Sequence, residues 1–75
     1  MRYQVVLETT PTSVGAYVPD LPGCVAVGAD RDEALRLIRE GIEFHLEGLR
    51  ESGAQIPAPA TRLELVEVEA ACRPD

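Results

Sequence analysis

Residues 31–52, RDEALRLIREGIEFHLEGLRES, constrain this chain more than any other stretch. Spaced at about 100° per residue, they place Ala34, Leu35, Leu37, Ile38, Gly41, Ile42, Phe44, His45, Leu46, Gly48 and Leu49 on one side. Every charge falls on the other side, which carries Arg36, Arg39, Glu40, Glu43, Glu47 and Arg50. The apolar arc spans about 200°, roughly twice the stripe a helix needs to cover one sheet. Asp30 suits the N-cap, Glu33 completes a capping-box pattern, and Gly53 suits the position after the C-cap. Opposite charges four apart, Asp32–Arg36 and Arg39–Glu43, add weak support on the polar face. A helix over about 31–52 is about 33 Å long at ~1.5 Å per residue. Ala34, Gly41 and Gly48 recur every seven residues, a small-residue stripe suited to tight packing on a sheet or to contact with a second chain.

The chain has 75 residues, so it forms one small domain, with a core of about residues 2–69. Upstream of the helix, 2–8 (RYQVVLE) alternates as a strand, with Tyr3, Val5 and Leu7 on one face and Val6 on the other. Residues 9–15 read as a turn, 16–19 as a second strand and 24–28 as a third. Between the last two, Pro22–Gly23 has the residues a type II turn prefers, with proline fixing φ and glycine supplying φ > 0. The prolines at 57 and 59 make 54–61 an extended connector, and RLELVEVE (62–69) reads as a fourth strand. The expected fold is therefore α+β in the order β-β-β-α-β. A three-stranded meander is joined by a right-handed crossover to a fourth strand beside the first. That gives sheet order 3-2-1-4 with the helix on one face, and leaves the opposite face, with Val6, open.

Thirteen acidic residues against seven basic ones leave a net charge of −6. Such a chain repels phosphate, so direct nucleic-acid binding is not expected, and a basic protein is the easier partner. MRYQVVLETT has no apolar signal core, and no run approaches a membrane span. With two cysteines and no disulfide framework, the expected location is cytoplasmic and both thiols reduced.

No catalytic, metal or cofactor site emerges. Cys24 opens a strand after the turn, and no spacing brings the single histidine, His45, beside it as a base, so it reads as a small buried hydrophobe. Cys24, His45 and Cys72 lack the paired spacing of a zinc site. His45 reads as a packed or interfacial imidazole. Glu8 and the glutamates at 64, 67 and 69 do not form the convergent set that two-metal phosphodiester cleavage needs. A non-enzymatic binding module is the expectation.

The stretch YVPDLPGCVAVGADRDEALRLIREGIEFHLEGLRESGAQIP resembles the N-terminal domain of HicB-type antitoxins and their short stand-alone relatives. The residues that carry the likeness are Pro19, Asp20, Leu21, Pro22, Gly23 and Cys24, then Gly28, then Glu33–Ala34–Leu35, and finally Gly53 and Ile56–Pro57. The resemblance implies a truncated ribonuclease-H-like fold without its catalysis. It also implies a partner, the small basic HicA toxin, which cleaves mRNA and has a double-stranded-RNA-binding-domain fold. Full-length relatives add a C-terminal DNA-binding module, and little follows Glu69 here, so operator binding by this chain alone is not expected. The expected function is steric inhibition of a HicA-like toxin by a homodimer or homotetramer. Its candidate contacts are Asp20, Leu21, Glu40, Glu43 and Glu47. The competing reading is a homo-oligomer without a toxin.

Overall fold

The computed structural model describes residues 1–69. Three strands, β1 (Val6–Thr9), β2 (Val14–Tyr17) and β3 (Val25–Gly28), precede one helix, α1 (Arg31–Glu51). The strands form an antiparallel meander in the order β1-β2-β3. Val6 and Val25 pair with Tyr17, and Thr9 and Gly28 with Val14. The chain thus has the expected α+β class and the expected meander.

Local chemistry sets the strand ends. Thr10 closes the first turn: its hydroxyl oxygen accepts the N–H groups of Ser13 (3.0 Å) and Thr12 (3.3 Å), and its own N–H donates to the Ser13 carbonyl at 2.8 Å. The turn therefore occupies less of 9–15 than composition suggests, and β2 starts at Val14 rather than residue 16. β2 also stops at Tyr17, because Pro19 has no N–H to extend a ladder. β1 accordingly begins at Val6, opposite Tyr17, rather than at residue 2.

The helix follows its caps. Asp30 Oδ1 accepts the Glu33 N–H at 2.8 Å, and Glu33 Oε1 reaches back to the Ala29 N–H at 2.6 Å. At the far end Ala54 donates to the Leu49 carbonyl and Gly53 to that of Arg50, with Gly53 at φ +76°. This is a Schellman close, with glycine in the left-handed position where a side chain would be strained. The ion pairs differ from those expected: Arg36 bridges Glu33 (3.8 Å) and Glu40 (3.4 Å), and Arg31 lies near Asp32 (3.6 Å). Once Arg36 turns toward Glu33 and Glu40, Asp32–Arg36 does not form. Arg39–Glu43 is likewise not among the pairs of the described residues.

The core lies between α1 and one sheet face. Val14, Ala16, Val18, Leu21, Cys24, Ala34 and Ile38 are buried, with Tyr3, Val5, Leu7, Leu35, Ile42 and Leu46 packed around them. Gly28 lets the helix start close to β3: a Cβ there would lie 2.6 Å from the Ala34 nitrogen. Gly41 faces Cys24 Sγ, while a Cβ on Gly48 would meet nothing within 4 Å. The small-residue stripe thus serves sheet packing in its first half only. Four-residue strands reach about 13 Å, whereas the helix runs about 31 Å, so its second half overhangs the sheet. Only Ala34 and Ile38 of the wide apolar arc are fully buried, and Phe44 is 78% exposed.

One expectation is corrected. Residues 62–69 form no fourth strand beside β1, so the order 3-2-1-4 is not completed within the described chain. The Tyr3 hydroxyl donates to the Pro57 carbonyl, and Asp20 then captures residues 60 and 61. The chain is thereby held at the corner between β2 and β3, at the end of the sheet where β1 begins.

Candidate protein-binding surface

The corner 18–24 is a stack of short hydrogen bonds. Leu21 donates to the Val18 carbonyl (3.0 Å), Cys24 to that of Leu21 (3.0 Å), and Val18 to that of Cys24 (3.2 Å). Gly23 sits at φ +86°, as position i+2 of a type II turn requires. Pro22 and Gly23 are exposed, whereas Leu21 is completely buried. Cys24 is buried too, its Sγ faces Gly41, and burial raises its pKa above the ordinary thiol value of 9.0. The environment keeps this sulfur protonated, the opposite of what a nucleophile needs.

Asp20 has a structural task. Its Oδ2 accepts the N–H groups of Thr61 (3.1 Å) and Ala60 (3.2 Å), and its Oδ1 accepts the Thr61 hydroxyl at 2.8 Å. The corner pair Asp20–Leu21 is thus placed as a clamp and a core plug. The corner motif singled out the aspartate, but only the fold reveals that it grips a segment 41 residues away.

The other three candidates share the polar side of α1. Glu40, Glu43 and Glu47 are all exposed, and Arg36 reaches Glu40 alone. Glu43 and Glu47 flank Phe44 on the overhanging half, where Leu46 and Arg50 complete a shallow depression. An exposed aromatic ring between carboxylates suits a partner with a basic, partly apolar surface. Sequence reasoning placed Phe44 in the apolar arc and so missed it as a surface residue. The signal was its place at the edge of an arc too wide for one sheet.

The sheet face away from the helix is uncovered. Tyr17 is 38% exposed, Val25 68% and Val27 66%, beside half-buried Val6. His45 is half-buried on α1. Among the described residues no three His, Cys, Asp or Glu side chains are grouped to hold a metal ion, and no helix is long and apolar enough to cross a membrane. Cys72 lies outside the described residues.

Fold and surface together define a small acidic α+β domain with unfilled apolar faces. Comparison with known proteins makes this specific. The chain belongs to the HicB-like antitoxin family of bacterial toxin–antitoxin systems, whose family model matches residues 3–71. Antitoxin HicB 2 of Photorhabdus laumondii is 34% identical over 71 residues, covering 93% of this chain and 51% of that protein. A UPF0150 protein of Thermoplasma acidophilum is 38% identical over 60 residues, 76% of this chain and 84% of that one. The 14.9 kDa protein in the rep-hol intergenic region of Haemophilus phage HP1 is 35% identical over 57 residues, 76% of this chain. The chain thus spans about half or less of two of these relatives, 43% of the phage protein and 51% of Antitoxin HicB 2. No solved structure matches the chain significantly.

Proposed function

We propose that this chain is the antitoxin module of a toxin–antitoxin pair and restrains a small, basic, HicA-like mRNA interferase by covering it. Membership of the antitoxin family supports a toxin partner. The observation that carries the reading further is the exposed strip Glu40–Glu43–Phe44–Glu47 on the overhanging half of α1. A net charge of −6 draws a basic protein in, and Phe44 supplies apolar area that excludes water once contact is made. Asp20 and Leu21 act on this surface indirectly, by fixing the corner and the connector. Inhibition is steric and asks no chemistry of this chain, which works as a non-enzymatic, cytoplasmic homo-oligomer.

The test is co-expression with a small basic HicA-like toxin. Growth arrest caused by that protein alone is relieved when this chain is present, and the two co-purify. Arrest that persists with the chain present at equal level refutes the reading and leaves self-association without a toxin.

A further inference from the structure

The overhanging half of α1 carries a finer chemistry than net charge. Phe44 is 78% exposed, although it stands inside a capped helix rather than in a loop. Carboxylates surround its position: Glu40 four residues before it, Glu43 one before and Glu47 three after. Residues three and four apart are about 5–6 Å from one another on a helix surface, so Glu40 and Glu47 neighbour the ring along the axis. Arg36 engages Glu40, whereas Glu43 and Glu47 have no ion-pair partner among the described residues. Phe44, Glu43 and Glu47 border one depression of about 450 Å³, which half-buried Leu46 and exposed Arg50 complete.

The face of an aromatic ring is negative, and the carboxylates beside it add to that field, so the depression attracts a cation and repels an acid. Among biological cations an ammonium is compact and strongly hydrated. A guanidinium is planar and weakly hydrated, and it can stack on a ring while its N–H fork reaches two acceptors. We propose that the depression receives one arginine side chain of the basic partner, with its guanidinium stacked on Phe44 and its N–H groups donated to Glu43 and Glu47. The inference rests on the toxin reading and adds the residue type by which the toxin is held. Leu46 offers apolar contact to the arginine's methylene stem. Arg50 stands six residues beyond Phe44, about 9 Å along the axis, and two carboxylates outnumber it, so the incoming cation settles on the Phe44 side. An apolar side chain in the same place would desolvate both carboxylates and give them no donor, which costs binding energy. Attraction and retention are thereby divided. The glutamates draw the toxin in, and the stack, shut off from water, sets how long it stays.

Phe44 is the only phenylalanine in the chain, so fluorinated phenylalanines supplied during expression enter at this position alone. Successive fluorines drain the negative ring face and keep the apolar area. Binding of a purified small basic HicA-like toxin is measured for the unmodified chain and for chains carrying 4-fluoro-, 3,5-difluoro- and pentafluorophenylalanine. Affinity falls stepwise, by about tenfold at the pentafluoro ring, chiefly through faster dissociation. Phe44→Leu, which keeps apolar bulk at an exposed position, retains its helical circular dichroism and loses affinity by a similar factor. Arginines of the toxin are then changed to lysine one at a time. One such change reproduces the loss and adds nothing further in combination with Phe44→Leu. Affinity that ignores fluorination, or rises with it, overturns the stack and leaves the toxin reading standing, since Phe44 then serves as apolar area alone. Unaltered binding by Phe44→Leu overturns it equally. A wild-type chain that binds no HicA-like toxin removes the toxin reading, and this inference with it.

Discussion

Asp20 holds Thr61 through both carboxylate oxygens, Oδ1 on its hydroxyl at 2.8 Å and Oδ2 on its backbone N–H at 3.1 Å. One aspartate in a turn thus decides where the last part of the chain leaves the domain. The Thr61 backbone N–H contributes most to lowering its pKa from 3.8, followed by the Thr61 hydroxyl, with the Ala60 N–H adding less and desolvation opposing them. Because the folded-state value is depressed, the carboxylate's stabilising contribution is complete above the unfolded-state value and fades as pH falls through the folded one. Wild type should therefore unfold at higher urea than Asp20→Asn at pH 7, and the gap should close as the pH is taken below 3.8. Urea midpoints across that range check it, and a gap independent of pH would refute this account of the clamp.

Gly28 and Gly48 should respond oppositely to alanine. At Gly28 the added Cβ meets backbone of the first helical turn at 2.6–3.0 Å, which cannot swing aside. Gly28→Ala should cost about 3 kcal/mol, at the upper end of ordinary overpacking. At Gly48 the space is open, and removing a helix-interior glycine should add about 1 kcal/mol. Thermal melts of the two variants check both signs.

The Cys24 thiol should be inert in the folded protein. It is 5% exposed, and its pKa is pushed up by burial. In a Cys72→Ser background, which leaves one thiol, a disulfide reagent should react at the rate of global or local opening and approach free-thiol rates only in denaturant. Fast labelling of the native chain would contradict the core assignment.

If the glutamate strip receives a basic toxin, reversing it should slow association. Replacing Glu43 and Glu47 by lysine should reduce the association rate constant about tenfold at low salt, with less effect on dissociation. The wild-type rate should fall with added salt and the variant's change little. Stopped-flow mixing with the toxin measures both. The same salt slope in both proteins would remove the strip from the encounter surface.

The parts of the fold that were legible in the sequence are those set by near neighbours. Asp30, Glu33 and Gly53 mark the helix ends because capping is a contest among residues a few positions apart. Pro22–Gly23 marks its turn for the same reason. Residues 62–69 have the composition of a strand, but pairing depends on contacts far along the chain, and the Asp20–Thr61 bond that fixes the chain just before them already spans 41 positions. Leu21 shows the same limit at the site. Lying in a polar, proline-rich corner it reads as a surface residue, yet the turn folds it under to complete burial. The glutamates were legible as a face because helical periodicity alone puts them there, while the exposure of Phe44 required knowing how short the strands are.

The mismatch between a 21-residue helix and four-residue strands separates two kinds of evolutionary freedom. Changes at Ala34 or Ile38 are judged by the core, since both are buried. Changes at 43, 44, 47 and 50 fall on exposed positions of the single chain. Lineages can therefore drift at the far end of the helix without unfolding, and duplicated copies can come to discriminate between partners while sharing one scaffold.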